Sequence, residues 1–516
     1  MSLPTITLFD TLSSARRALE PIHPGRVGMY VCGVTVYDYA HIGHGRTFIT
    51  FDVIVRYLRY RGYDVMFVRN HTDIDDKIIK RANANGEDAL ALAARFIQAL
   101  DEDMARLGCH PPTHAPRVSE HLDDIIAMVE TLIERGHAYA IDGDVYYDVT
   151  SFADYGRLSR RTLDDMRAGE RVAIDERKRN PFDFALWKSA RPDEPSWPSP
   201  WGQGRPGWHI ECSAMSSHFL GRTFDIHGGG SDLKFPHHEN EIAQSEGAHD
   251  CTFANYWMHV AMLNIDGEKM SKSLGNFWTI RDVLEQHHPE VLRYFMMTAH
   301  YRKQVNYSPV NLEIARERVQ YLYGTRELIV AALAALPPDA RPEADATTLS
   351  GLLDRVHQGM DDDFNTPILL AVLSEAAREA RELLRTKKLQ RQPATLARLA
   401  AIDAFFCRTA AFTGVLGGDP SVVLTDIRDL LARTLGIDSA HIEALLQERR
   451  QARDERDWAR ADALREQLTA LHIVVMDGDD GSTWRIEPPP IDAPDEDPGP
   501  DQDPEPGGAA GEAPGA

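Results

Sequence analysis

The chain has 516 residues, 43% of them apolar and 26% charged, which gives room for three or four ordinary domains with a sizeable core. Its net charge of −23 excludes a global field that draws in nucleic acid, so any such contact must come from local basic patches. Five scattered cysteines exclude a disulfide framework, no run approaches the roughly 18–20 apolar residues of a membrane span, and Met1 to Asp10 is no signal peptide, so a cytoplasmic location is expected.

Val27 to Val36 is an apolar, β-branched run that reads as a buried strand. From Gly45 to Arg61 the apolar residues take turn spacing, which predicts a helix that Gly62 ends, and Asp64 to Val68 reads as a second strand. This strand–helix–strand unit implies parallel strands and opens a doubly wound α/β domain. Residues 125–205 read as an insertion, helical at first and then rich in Pro and Trp from Pro192 to Trp208. Helices dominate after residue 276: Asn311 to Leu336 is amphipathic, Thr366-Pro367 reads as an N-cap and first-turn pair, and Ala452 to Leu471 reads as one further helix. Short strand-like pieces follow at Ile473–Met476 and Thr483–Ile486. Glu487 to Ala516 holds nine acidic and no basic residues among Pro, Gly and Ala, and reads as a disordered tail.

His41-Ile42-Gly43-His44 lies between the first strand and its helix. Free N–H groups and the positive end of the dipole make such a helix start a phosphate site. Gly43 permits close approach, and the imidazoles can donate to phosphate oxygens. Lys269-Met270-Ser271-Lys272-Ser273 puts two mobile cations beside Gly275, which suits a clamp on a departing polyphosphate. Either motif alone could be ordinary surface. In this order, about 225 residues apart, they match the paired signatures of class I aminoacyl-tRNA synthetases. His227-Gly228-Gly229-Gly230-Ser231-Asp232 follows the strand-like Phe224–Ile226 and sits where such a sheet binds adenosine, although a plain turn would look the same.

Cys32, Cys212, His237 and Glu241 form a donor set chemically suited to Zn²⁺, with His237 and Glu241 four apart on one helical face. Spacing leaves open a satisfied polar cluster instead, since there is no Cys-x-x-Cys pair and His238 also fits that face. Longer runs carry a more specific resemblance. Gly28-Met29-Tyr30-Val31-Cys32-Gly33, Thr72-Asp73-Ile74-Asp75-Asp76-Lys77, Gly204 through Ser213 and Phe235 through Glu241 resemble the cysteinyl-tRNA synthetases, a likeness that spans nearly all of residues 5–485.

The resemblance implies an ATP-dependent ligase that forms cysteinyl-adenylate and charges the terminal adenosine of cysteine tRNA. It implies one Zn²⁺ per subunit on Cys32, Cys212, His237 and Glu241, joined by the substrate sulfur, and Mg²⁺ with ATP. Thr35, His41, Gly43, His44, Gly229, Asp232 and Lys272 would bind ATP, with His41, His44, Lys269 and Lys272 catalytic. Thr72, Trp208 and His227 would meet the amino acid. Arg453, Trp458, Asp462 and Asp477 would read a GCA anticodon. The implied architecture is a Rossmann-like catalytic domain (1–125 and 206–260) with a connective insertion (126–205). A stem-contact region (261–310), a helical bundle (311–420), a small mixed anticodon-binding domain (421–486) and the tail (487–516) follow. A monomer is expected. Two other readings remain: a ligase joining cysteine to an amino-sugar inositol, which lacks the anticodon domain, and a catalytically dead tRNA binder.

Overall fold

The apolar run that begins at Arg26 becomes an inner strand of a four-stranded parallel sheet in the order Ala254–Val260, Phe224–Gly230, Arg26–Thr35, Asp64–Thr72. The computed structural model describes residues 3–162, 176–192, 194–269, 277–386, 392–478 and 481–487. From Arg26–Thr35 the chain passes through the helix Ile42–Tyr60 to one neighbour, and the strand on its other side is Phe224–Gly230. The order therefore reverses at Arg26–Thr35. A doubly wound sheet opens its ligand crevice at the carboxyl ends of the strands flanking such a point. The helix is seated by Phe48, Phe51, Ile54, Val55 and Leu58, all buried, and Gly62 ends it with φ 95°.

The glycine run departs from the turn that its composition allows. Gly228 to Gly230 lie within the strand itself. A Cβ on Gly228 would fall 2.3 Å from the Phe51 ring, so this glycine is what lets the helix Ile42–Tyr60 lie against the strand.

The insertion also differs from its sequence reading. After the helix Leu122–Glu134 it forms a four-stranded antiparallel sheet of Ala138–Ile141, Asp144–Tyr147, Phe184–Ser189 and Gly204–Pro206. These strands are three to six residues long, too short for alternation to register. Trp187 is buried at its centre against Trp201, and a Cβ on Gly204 would come 2.3 Å from the Trp187 indole nitrogen.

Five helices, Pro309–Ala334, Ala346–Met360, Thr366–Arg385, Pro393–Thr413 and Pro420–Leu435, follow. Thr366 is not the N-cap. Asn365 holds that place without a side-chain bond, and the Thr366 hydroxyl instead donates to the Met297 carbonyl at 2.9 Å. The predicted helix Ala452–Leu471 is two, Ser439–Asp454 and Trp458–Ala470, because Arg456 turns left-handed at φ 61° between them. They pack Ile442, Leu446, Leu464 and Leu468 against Ile473 and Trp484 of the hairpin Ile473–Gly478/Gly481–Ile486. Among the described residues no helix is long and apolar enough to cross a membrane.

His71 gives this fold a pH-dependent element. It is 2% exposed, and burial, with Arg69 and Arg117 nearby, lowers its pKa to about 4. Below about pH 6.5 the unfolded chain takes up a proton that the folded chain refuses until near pH 4, so stability falls as pH falls through that window. The advantage in urea-unfolding free energy of wild type over H71Q is expected to shrink by about 2 kcal/mol between pH 7 and pH 5.

Candidate active site and metal centre

Four buried donors meet at the carboxyl edge of the sheet. Cys32 lies on the strand Arg26–Thr35, Cys212 in the first turn of the helix Ile210–Leu220, and His237 and Glu241 on the helix His237–His249. The two Sγ atoms are 3.6 Å apart, Cys32 Sγ is 3.3 Å from Glu241 Oε1, and His237 Nε2 is 3.1 Å from the same oxygen. One donor atom from each of the four residues lies within 4.8 Å of the others. A zinc tetrahedron with Zn–S near 2.3 Å and Zn–N or Zn–O near 2.0 Å has edges of about 3.3–3.8 Å. The donors therefore fit one Zn²⁺ and are far from the ~2.05 Å of a disulfide.

The charges also fit a cation. Burial pushes the Cys212 thiol up, but the hydrogen bond from Cys32 and the nearby His237 prevail and bring it to about 6. Burial, reinforced by Cys212, holds Cys32 well above the usual thiol range. Burial also raises Glu241, yet His227 and His237 outweigh it and keep the carboxylate well below its ordinary range. Glu241 is thus an anion in an interior that otherwise disfavours charge.

A surrounding set of side chains orients the donors. His227 Nε2 is 2.7 Å from the other Glu241 oxygen, and its ring stacks on Trp257 at 4.4 Å. His209 Nδ1 is 2.9 Å from His237 Nδ1, which leaves Nε2 facing Glu241. His238 Nδ1 lies 2.8 Å from the His259 ring while its Nε2 lies 4.0 Å from Glu241 Oε1, so Cys32, His227, His238 and Glu241 form an overlapping group of potential donors, and His259 reaches Thr11 at 2.9 Å. A further group of potential donors, His121, Asp124 and His218, shares no residue with this one.

The residues expected to meet the amino acid all touch this cluster or its neighbours. The Thr72 hydroxyl donates to Glu211 Oε2 at 2.8 Å, next in sequence to Cys212. Trp208 is 38% exposed and covers the His237 ring at 4.3 Å. His227 holds Glu241. Asn70, Glu211, His209, Trp257 and His259 were not singled out in the sequence. Asn70 ties two strands, accepting from Gly33 N–H at 2.8 Å and donating to Thr72 at 3.3 Å. The polar run Asn70-His71-Thr72-Asp73 ending an apolar strand is the signal that could have found it, since strand ends line the crevice.

His41 is the N-cap of the helix Ile42–Tyr60. Its Nδ1 accepts from His44 N–H at 3.3 Å, and His44 Nδ1 accepts from His41 N–H at the same distance. The rings stack with centroids 3.5 Å apart. Gly43 occupies the first turn, and Thr35 and Thr72 are register partners at the ends of adjacent strands. Gly229 and Gly230 end the neighbouring strand, and Asp232 follows in the turn Ser231–Lys234. Lys269 closes the strand Glu268–Lys269, while Met270 to Asn276, including Lys272, lie outside the described residues. The far side of that segment returns to the first signature: Ile42 N–H donates to Trp278 O at 3.1 Å, Ile280 N–H to Ala40 O at 2.9 Å, and Phe277 meets the His41 ring edge-on at 5.5 Å.

In the C-terminal region Arg453 ends one helix, Trp458 starts the next at 60% exposure, and Asp462 follows one turn later. Asp477, on the hairpin, pairs with Arg453 at 2.7 Å and with both Arg449 nitrogens at 2.8 and 3.0 Å. Arg449, unremarked in the sequence, is the main reason the Asp477 carboxyl sits well below its ordinary range.

The family of class I (C) tRNA synthetase catalytic domains matches residues 18–317. A cysteine–tRNA ligase of Pelobacter propionicus is 50% identical over 493 residues, covering 93% of this chain and 99% of that protein. The chain belongs to the cysteine–tRNA ligase family. A second ligase of this family, from Alkalilimnicola ehrlichii, is 52% identical over 481 residues, with 93% and 99% covered. A DALR domain matches residues 355–403, and the cysteinyl-tRNA ligase anticodon binding domain matches residues 439–485. Mycobacterium tuberculosis methionyl-tRNA synthetase in complex with methionyl-adenylate superposes with a TM-score of 0.57 at 16% identity, covering 80% of this chain and 94% of that one. The expected class I α/β fold and the expected ligase class both hold for this cysteine–tRNA ligase family member. The acidic tail from residue 488 onward lies outside the described residues.

Proposed function

We propose that the chain activates L-cysteine with Mg-ATP and transfers the cysteinyl group to the 3′-terminal adenosine of a cysteine tRNA with a GCA anticodon, as a cytoplasmic monomer. The observation that carries this reading is the meeting, at one sheet edge, of the buried Cys32–Cys212–His237–Glu241 set with the histidine-capped helix start at His41. In the first step a cysteine carboxylate oxygen bonds to the α-phosphorus, the α–β anhydride bond breaks, and pyrophosphate leaves. In the second, the 2′-hydroxyl of the terminal ribose attacks the carbonyl and AMP leaves.

The protein's part in the first step is positioning and charge stabilisation. The capping bonds occupy Nδ1 of His41 and His44, so each neutral ring carries its proton on Nε2 as a donor to phosphate oxygens. Burial, followed by His41 and Lys77, holds His44 well below its ordinary range, which keeps it neutral. The helix N-terminus adds its dipole. Thr35, Gly43, Gly229 and Asp232 line the nucleotide, and Lys269 and Lys272 follow the pyrophosphate as it leaves. Thr72, Trp208 and His227 frame the amino acid.

Zn²⁺ held by Cys32, Cys212, His237 and Glu241 would supply a soft Lewis acid that favours a thiolate over the harder, far less acidic serine hydroxyl. Size alone discriminates such a pair by only ~1–3 kcal/mol. Residues 1–125 and 206–260 form the catalytic domain in this reading, 126–205 the connective insertion, 261–310 the stem contact, 311–420 the bundle and 421–486 the anticodon domain.

Cysteine-dependent ATP–pyrophosphate exchange and charging of cysteine tRNA test the proposal directly. Exchange without tRNA charging, but with transfer to an amino-sugar inositol, would replace it with the amino-sugar ligase. No exchange despite tight tRNA binding would leave a dead binder. The exposed Trp458 supplies a stacking face, and Arg453, Asp462 and Asp477, the first and last of them paired with each other, supply polar groups for base edges. W458A is expected to lower kcat/KM for tRNA by roughly 10–100-fold through KM, the loss of about one stacked base, as steady-state charging kinetics would show.

A further inference from the structure

An acidic corner of the helical bundle packs against the elements that carry the nucleotide site. Asp361, Asp362 and Asp363 join the helices Ala346–Met360 and Thr366–Arg385, and the backbone turns left-handed at Asp363 and Phe364, φ 64° and 53°. The turn carries Asp363 fully into the interior. Its Oδ1 accepts from Tyr301 OH at 2.6 Å and from Phe9 N–H at 2.9 Å, and its Oδ2 pairs with Arg302 Nε at 2.7 Å. Asp361 accepts from Tyr57 OH at 2.6 Å and pairs with Arg61 at 3.1 Å, in the last turn and at the C-cap of the helix that begins at the His41 cap. The Asp362 side chain pairs with the exposed Arg16 of the N-terminal hairpin.

The segment that Asp363 grips lies one contact away from each nucleotide signature. Arg46, buried two residues after His44, donates to Ala261 O at 3.0 Å, to His300 O at 3.4 Å and to Lys303 O. The strand Val305–Tyr307 pairs in parallel with Leu263–Ile265, which in turn pairs with Glu268–Lys269. Residues 300–307 thus lie between the acidic corner on one side and the starts of both signatures on the other.

We infer that Asp363, supported by Asp361, is a positioning residue for adenylate formation, fixing residues 300–307 so that the His41 helix start and the Lys269 strand keep one mutual placement. This rests on the assignment of His41, His44 and Lys269 to ATP. A transition state held from two sides loses rate when the sides shift by a fraction of an ångström, while binding of either substrate alone changes little. A merely structural role would instead lower the amount of active enzyme and leave the rate per active site intact.

The full-length enzyme tests this by cysteine-dependent pyrophosphate exchange, normalised by active-site titration. D363N and R302Q are expected to lower kcat per active site at least tenfold, with KM for cysteine within twofold of wild type. D362N is expected to stay within twofold in both. The D363N/R46K double variant should lose less than the product of the single losses, because both act through residues 300–303. Wild-type rates per active site in D363N and R302Q, or losses that simply multiply, would overturn the inference. R302Q decides alone if D363N does not fold, since it removes the pair from its partly exposed side. A wild-type enzyme without exchange would overturn the ATP assignment and this inference with it. Wild-type exchange with unaffected variants would overturn the inference only.

Discussion

Serine at position 212 is expected to strip the enzyme of zinc and to lower kcat/KM for cysteine activation by at least ~10³-fold, about 4 kcal/mol of transition-state stabilisation. The substitution removes one sulfur and little volume, so the 2% exposed site keeps its packing. What changes is the donor. A thiol that its neighbours bring to about 6 supplies a thiolate at neutral pH, whereas a hydroxyl stays protonated and offers a hard oxygen. The remaining donors are one thiol, one imidazole and one carboxylate, and the Glu241 anion loses the cation that compensates it. H227Q is a graded companion. It leaves all four donors but removes the imidazole 2.7 Å from Glu241 Oε2, and supporting contacts of this kind are worth roughly 10–100-fold in metal affinity. Zinc measured by a chromogenic chelator after unfolding, beside pyrophosphate exchange, checks both. Stoichiometric zinc in C212S would remove Cys212 from the donor set.

What the sequence revealed divides by range. The strand, cap and helix around His41 were legible because they depend on apolar spacing and on a cap within a few residues. The metal donors were not legible from spacing. Cys32 and Cys212 are 180 positions apart and meet only because the fold places one strand end and two helix starts at one edge. Long matching runs identified them instead. The polar residues around them, Asn70, His209 and Glu211 beside Cys212, and His259, come from distant stretches of the chain and meet their partners only when it folds. Local signals misled where tertiary contacts prevailed. The glycine run is strand because Phe51 needs the space above Gly228, and Thr366 forgoes capping because Met297 O lies within reach. The break at Arg456 interrupts residues that all tolerate helix, so composition could not place it.

Alanine at position 52 is expected to destabilise the protein by about 3–5 kcal/mol, the largest purely structural effect we predict, because it strands a buried cation. Asp52 lies on the helix Ile42–Tyr60 and is 4% exposed. Its Oδ2 accepts from Arg293 Nη2 at 2.6 Å, while Oδ1 accepts from Arg56 Nε at 3.0 Å and from His110 N–H at 2.8 Å. Arg293 is 1% exposed and also donates to the carbonyls of Thr413, at 2.8 and 3.1 Å, and Leu107, at 3.1 Å. Thr413 ends the helix Pro393–Thr413, where free carbonyls and the negative end of the dipole favour a cation. The guanidinium therefore joins the helix behind the nucleotide signature to the end of a bundle helix. Without Asp52 it keeps its carbonyl partners but loses its buried counter-charge. Replacing both members of a buried pair costs less than removing one, so D52A/R293M is expected to recover part of the loss seen in D52A. Thermal and urea unfolding of wild type, D52A and the double variant measure this. If D52A/R293M is less stable than D52A by the full cost of R293M alone, the carbonyl bonds of Arg293 and not its pair with Asp52 hold this junction.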